Sequence, residues 1–153
     1  MENGNKWTNA IYFNPAKFIL TAKHEAKYKD ESTGKDQGQG FVKAQLQCKQ
    51  TEISFNVYTT HLKAKKGFEE MRRTQVKQLV DNALTCEHPA ILCGDWNDTP
   101  DSAALKVVKG TDSIKMATGN QEPEFTTHKY RPTTGMQTRT IDHFYYFERM
   151  PAG

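Results

Sequence analysis

Long apolar runs are absent. Nowhere in the 153 residues does an uncharged hydrophobic stretch approach the roughly 20 residues that a membrane-spanning helix requires. Cysteine is scarce: Cys48, Cys86 and Cys93 are odd in number, widely spaced and in no CxxC pattern. That argues against a disulfide framework or a zinc site and for a reducing compartment. The opening residues MENGNKWTN have neither a basic n-region nor an apolar h-region, so no secretory leader is expected. The expected location is cytoplasmic, with a mitochondrial one left open should residues precede Met1. Excess charge is also small, a formal +3, which is compatible with a polyanionic substrate without demanding one. No internal repeat is visible.

The hydrophobic fraction of 36% against 25% charged residues describes a polar globular chain, and the length is that of one ordinary domain. Asn9 to Phe13, Phe18 to Ala22, Phe41 to Cys48 and Ile53 to Thr60 are short runs rich in β-branched and aromatic residues, which predict strands. Between the second and third, His24 to Gly40 offers almost nothing to bury and reads as a hairpin loop. From Phe68 the period changes: Phe68, Met71, Val76, Leu79, Val80 and Ala83 predict an amphipathic helix ending near Leu84. Ala90 to Cys93 is a continuous apolar run suited to a strand covered on both faces. Thr99-Pro100-Asp101 then reads as an N-cap, a first-turn proline and an acidic first turn, leading a helix through Lys109 to Gly110. Thr140 to Phe147 is a last strand, while Thr111 to Pro123 shows no period. The fold class expected is α/β with a mixed sheet, and ligands in such sheets gather at the carboxyl ends of strands.

Gly94-Asp95-Trp96-Asn97 stands at such an end. In an extended segment Asp95 and Asn97 point to one side and Trp96 to the other. A carboxylate beside a carboxamide suits a phosphate-hydrolysing site, one group taking a proton from water and the other holding that water. Asp and Asn are equally the usual turn formers, so a turn capping the next helix is an open alternative. His61 has the parity of Ile53, Phe55, Val57 and Thr59, read as the inward set, and falls on the same face at its strand's end. A neutral-range imidazole there can hydrogen-bond a phosphate oxygen; a purely structural histidine is the competing reading. Lys63, Lys65 and Lys66 follow directly and are either phosphate-neutralising or merely solvated. Arg72 and Gln75 interrupt the inward stripe of the helix and must find partners there. Asp142, in an otherwise apolar aromatic strand, is expected to be buried and paired, orienting an imidazole or bonding backbone amides. Thr126 to Arg131 adds a polar, basic segment just before it.

Taken in order, Thr60-His61-Leu62, Gly94-Asp95-Trp96-Asn97 and Ile141-Asp142-His143 resemble the THL, GDxN and LDY motifs of the endonuclease/exonuclease/phosphatase superfamily. Thr60 to Ala64 followed by Gly67, Glu69, Arg72 and Gln75 is similar to its nocturnin-like, deadenylase-related branch, as are Asn9 to Phe18 and Thr126 to Arg131. The resemblance implies an αββα sandwich of two packed sheets, with residues 1–153 as the C-terminal part of one such domain. It also implies attack of water on a phosphate ester, dependent on magnesium or alternatively manganese. His61 would contact the phosphate, Asp95 activate the water, Asn97 position it and Asp142 orient a catalytic histidine. Lys63, Lys65 and Arg131 would bind substrate phosphates, Lys65 standing where an arginine is usual and so lacking the bidentate fork. The family's metal-binding glutamate, its early asparagine and its terminal catalytic histidine have no counterpart in this stretch. The metal ligands are therefore undetermined, and little activity is expected of the 153-residue polypeptide by itself. His143, beside Asp142 and pointing to the opposite face, does not replace that histidine. Three functions follow: a 3′-exonuclease shortening RNA, a phosphatase removing the 2′-phosphate of NADP(H), or a non-catalytic fragment that binds a partner.

Overall fold

The computed structural model describes residues 9–117 and 123–147; the segment read above for a leader falls largely outside them. Its elements in chain order are β1 Phe18–Lys29, β2 Asp36–Cys48, β3 Ser54–His61, α1 Glu69–Leu84, β4 Ala90–Asp95, α2 Ala103–Lys109, β5 Ile114–Met116, β6 Thr127–Arg131, β7 Gly135–Arg139 and β8 Asp142–Phe147. Six strands form one sheet in the order β1-β2-β3-β4-β8-β5, and β6 with β7 forms a separate two-stranded ribbon. β3 and β4 run parallel with α1 between them, whereas β4 and β8 are antiparallel. The mixed α/β architecture anticipated from the order of elements is therefore present.

α1 forms because its apolar positions recur at three and four residues: Val76, Leu79, Val80 and Ala83 are buried along one face, and Arg72 and Gln75 with them. That face and Ala104, Leu105 and Val108 of α2 cover one side of the sheet, against Tyr58, Leu92, Tyr145 and Phe147. A fully buried leucine such as Leu79 or Leu92 contributes about 1.5–3 kcal/mol by transfer from water. No helix among the described residues is long and apolar enough to cross a membrane.

Several sequence expectations are corrected. His24 to Gly40 is mostly strand, because β1 continues to Lys29 and β2 begins at Asp36. In this outer part of β1 only Tyr28 is fully buried, and a single buried residue among polar ones gives no alternation to read. Asn9 to Phe13 forms no strand; Asn9 Nδ2 instead donates to Gly40 O at 3.1 Å. The second helix begins at Ala103, where Ser102 Oγ accepts from Leu105 N. Thr99 is not its cap but closes the preceding turn by accepting from Ser102 N at 3.0 Å. The unperiodic and polar segments also contain β5 and the β6–β7 ribbon, which had not been anticipated.

The face assignment of β3 is reversed. Asn56, Tyr58 and Thr60 lie under the helices, while Phe55, Val57 and Thr59 face the other way and Ile53 is exposed. The polar set is stable inside because most of its groups are bonded: Thr60 Oγ1 donates to Gly40 O and meets Tyr28 OH, and Tyr58 OH donates to Asn82 Oδ1. Parity had been read from apolarity alone. The helix-free face of β3, β4 and β8 ends in the polar residues considered next.

Candidate active site

The site begins with a glycine. Gly94 has φ +136°, and a Cβ on it would come within 2.0 Å of Thr60 O, so only glycine lets β4 approach β3 this closely. The register is thereby carried to the strand ends: His61 pairs with Asp95 across the parallel ladder, and Asp95 with Asp142 across the antiparallel one. Directly paired residues share a face. Three strands thus deliver an imidazole and two carboxylates side by side in one row, on the face opposite the buried side of β3.

Within the row, His61 Nε2 lies 3.7 Å from Asp95 Oδ2, with the two side chains 46% and 34% exposed. An ion pair that open to water contributes little stability, so strand geometry holds it and both groups face an incoming ligand. Asp95 Oδ1 accepts from Asn97 N at 2.8 Å. Asn97 adopts φ 49°, and this turn replaces the extended geometry expected for the pair. Asn97 Nδ2 donates to Leu62 O at 3.1 Å, and Leu62 N donates to Asp95 O at 3.0 Å. The carboxamide therefore stitches the chain after β3 to the chain after β4, leaving its Oδ1 as the atom able to meet a water. Between the two, Trp96 is fully buried, and its N donates to Ile141 O.

The lysine segment is held from below. Arg72, 4% exposed, donates from Nε to Asp98 Oδ2 at 2.9 Å and from Nη1 to Lys63 O at 3.1 Å and Lys65 O at 2.9 Å. Gln75 Oε1 accepts from Lys63 N, and its Nε2 donates to Gln37 and Gln39. These are the partners that two inward polar residues required. Lys65 sits at φ 81°, a costly conformation for a side-chain-bearing residue that the two carbonyl bonds flanking it help to fix. Lys63 Nζ rests 4.9 Å from the centroid of the Phe68 ring, whereas Lys65 and Lys66 are exposed.

Asp142 is not buried as expected; it is exposed at the start of β8, because the strand's register places it at the sheet's open edge beyond the helices. Thr126 Oγ1 accepts from both Ile141 N and Asp142 N, at 2.9 and 3.0 Å, and so joins the β6–β7 ribbon to the row. His143 lies on the opposite face as anticipated, buried, with Nε2 2.9 Å from Asp98 O and its ring stacked on Tyr145. Arg131 is carried by the β6–β7 ribbon and not by a strand of the row. It ends β6 at the turn of the ribbon, where its Nε donates to Gln137 Oε1, about 13 Å along the strand from Thr127. Asp98 and Thr126 are the organising residues that sequence reading did not single out. The signal for Asp98 was the inward Arg72, which needed an acid.

Magnesium takes about six oxygen ligands in near-octahedral geometry. Among the described residues no group of three or more His, Cys, Asp or Glu side chains converges to hold a metal. Asp95 and Asp142 supply two carboxylates, and Asp95 already bonds Asn97 N. By themselves these residues do not make up a magnesium site.

No family model matches the chain. The fold nevertheless superimposes on an endonuclease/exonuclease/phosphatase family protein from Bacteroides thetaiotaomicron with TM-score 0.72 at 16% identity, over 88% of this chain and 52% of that one. On this fold and the sequence matches that follow, the chain belongs to the endonuclease/exonuclease/phosphatase superfamily. Within it the chain is nocturnin-like. It matches the human nocturnin catalytic domain with bound sulfate at TM-score 0.74 and 25% identity, covering 88% of this chain and 50% of that one. It is 30% identical over 148 residues to Xenopus laevis nocturnin, which is 90% of this chain and 37% of that protein. The chain thus spans half or less of the length of these relatives.

Proposed function

We propose that the row of His61, Asp95 and Asp142 hydrolyses phosphate esters by attack of water, with the 3′ end of RNA as substrate. The observation that carries this is the common register of the three side chains at the ends of β3, β4 and β8. In this reading His61 donates to a phosphate oxygen, Asp95 takes the proton of the attacking water, and Asn97 Oδ1 orients that water. Asp142, its backbone anchored by Thr126, orients an imidazole. The family resemblance adds magnesium, with manganese as substitute, toward which Asp95 and Asp142 offer oxygens. The chain's own residues hold and move the protons. Lys63, Lys65 and Arg131 carry the positive charge that meets substrate phosphates, with exposed Tyr130 beside Arg131 as a surface on which a base can stack.

A second reading takes NADP(H) as substrate and removes its 2′-phosphate. It is favoured by the compactness of the lysine segment: Lys63 and Lys65 share one short loop, fixed by Arg72 right beside His61, whereas Arg131 is carried by the separate two-stranded ribbon. The test is hydrolysis by the protein carrying this domain, in magnesium and in excess chelator, with poly(A) RNA and NADPH side by side. Asp95→Ala is expected to lower turnover by about 100-fold or more. Undiminished turnover in that variant would sink the assignment of the row. Release of phosphate from NADPH with poly(A) left intact would select the second reading. Turnover of neither, with binding retained, would leave a non-catalytic binding module.

A further inference from the structure

A second cluster of reactive groups lies away from the row, where α1 ends and the chain turns toward β4. Cys86 Sγ is 3.0 Å from Lys43 Nζ, 2.9 Å from Tyr58 OH and 3.5 Å from Asn82 O. Tyr58 is three residues before His61 on β3, about 10 Å along the strand, and its side chain lies on the opposite, helix-covered face. The two clusters are therefore distinct.

We propose that Cys86 is a nucleophilic thiol directed at small oxidants of the hydroperoxide class, with Lys43 and Tyr58 as its supporting groups. A thiolate, not a thiol, attacks such oxidants, and a neighbouring cation favours it. Lys43 is placed for that task. Its ammonium makes no ion pair with a carboxylate among the described residues, and it is steadied 5.7 Å from the centroid of the Tyr58 ring. Tyr58 can serve either state of the sulfur. With a neutral thiol, its oxygen accepts from S–H while its own proton goes to Asn82 Oδ1; with an anionic sulfur, the phenol donates to it. Burial, and then the bond to Cys86, push the Tyr58 hydroxyl well above its ordinary range, so it remains a donor. The same region holds an unanswered acceptor. Asn56 Oδ1, two residues back along the same face of β3, is buried without a hydrogen-bond donor while its Nδ2 reaches His88 O, in the loop that follows Cys86.

The other two cysteines lack this arrangement. Cys93 Sγ donates to Tyr58 O at 3.3 Å, and burial pushes its thiol up. Hydrogen bonds from Thr51 lower the Cys48 thiol, but no cation is bonded to it among the described residues.

In the step proposed, a sulfur lone pair forms an S–O bond to the terminal oxygen of the hydroperoxide, which keeps its proton, while the O–O bond breaks. Sulfur is oxidised from thiolate to sulfenic acid and the peroxide is reduced. The departing oxygen takes a proton from the Lys43 ammonium, leaving as water or an alcohol, and Lys43 regains the proton from solvent.

The experiment is a timed pulse of hydrogen peroxide on the intact chain, with a sulfenic-acid-specific trap and peptide mass spectrometry at all three cysteines. Cys86 is expected to be trapped about tenfold faster than Cys93. Lys43→Met should slow Cys86 by about fivefold or more while leaving the rate at Cys48 unchanged, and Lys43→Arg should retain most of the rate. Circular dichroism melts confirm that the variants are folded, and the ratio of Cys86 to Cys93 in the unmodified chain requires no variant. Equal rates at Cys86 and Cys93, or a folded Lys43→Met with Cys86 unslowed, would overturn the proposal.

Discussion

Arg72→Met isolates what an inward-facing guanidinium does for this fold. The methionine keeps most of the apolar stem and removes only the charged fork. Four contacts disappear: Asp98 Oδ2 at 2.9 Å, Lys63 O at 3.1 Å, Lys65 O at 2.9 Å and the looser approach to Glu69 at 3.7 Å. The last matters least, because the Glu69 side chain is 55% exposed and screened. Asp98 decides the magnitude. Its side chain is 12% exposed and that of Arg72 5%, so removing the cation strands a largely desolvated carboxylate, which costs about 3–5 kcal/mol. Asp98 Oδ1 keeps a bond from Thr99 N at 3.2 Å, which places the expectation at the lower end, about 3 kcal/mol. For a chain of this size that is a fall in Tm of roughly 6–12 °C. Urea unfolding followed by circular dichroism measures it, and Asp98→Asn completes a double-mutant cycle. The double variant should be more stable than the sum of the singles predicts, since neither leaves the other's charge buried alone. A loss below about 1 kcal/mol for Arg72→Met, or strict additivity in the cycle, would refute the reasoning.

Gly94→Ala should be more damaging than its one methyl suggests. The new Cβ would stand 2.0 Å from Thr60 O at φ +136°, so β3 and β4 must separate at the register carrying His61 and Asp95, at a cost of about 3 kcal/mol or more. A soluble variant melting within about 2 °C of the parent would contradict this. Asp30 gives a pH dependence. Its carboxylate accepts from the N and hydroxyl groups of both Ser32 and Thr33, chiefly the hydroxyl bonds drawing its pKa from 3.8 down to about 2. A depressed folded pKa stabilises the folded state above the unfolded value, and the effect fades as pH falls from about 4 toward 2. Amide exchange in the turn between β1 and β2 should therefore be slower in the parent than in Asp30→Ala at neutral pH, with the difference vanishing at the acid end. A difference that persisted unchanged at pH 2 would show that the carboxylate charge is not its source.

How much of this was legible in the chain depended on whether burial left a period to read. α1 was readable because Val76, Leu79, Val80 and Ala83 repeat at the helical interval, and β4 because Ala90 to Cys93 is apolar without a break. The outer half of the β1–β2 ribbon was not, since in β1 there only Tyr28 is fully buried, among polar residues such as His24, Glu25 and Lys29 that lie at the surface. β3 misled for a different reason. Its helix-covered face carries Asn56, Tyr58 and Thr60, whose polar atoms are largely answered by Tyr28, Asn82, Gly40 and His88. Burial there follows hydrogen-bond satisfaction, a property of distant partners that no local pattern records. Asp142 erred in the opposite sense: its apolar neighbours suggested burial, but register carried it one step past the covered part of the sheet.

The motif at the end of β4 had been open to two readings, a turn capping the next helix or a pair of functional groups; a turn is present, but Ser102 and not the motif caps α2. Asp95 Oδ1 caps the turn through Asn97 N while Oδ2 faces His61. Asn97 fastens Leu62 O with its Nδ2 while its Oδ1 stays available. Each side chain uses one atom to fix its own position and presents another. This division of labour matters because a site on chain ends must be rigid without help from a packed core. The turn-forming chemistry of Asp and Asn is therefore what makes their remaining atoms useful, and a strand-end Asp-x-Asn reads more informatively as both than as either. Arg72 follows the same logic one layer below: it presents nothing to a ligand, yet its bonds to the Lys63 and Lys65 carbonyls decide where two of the candidate phosphate-binding lysines begin.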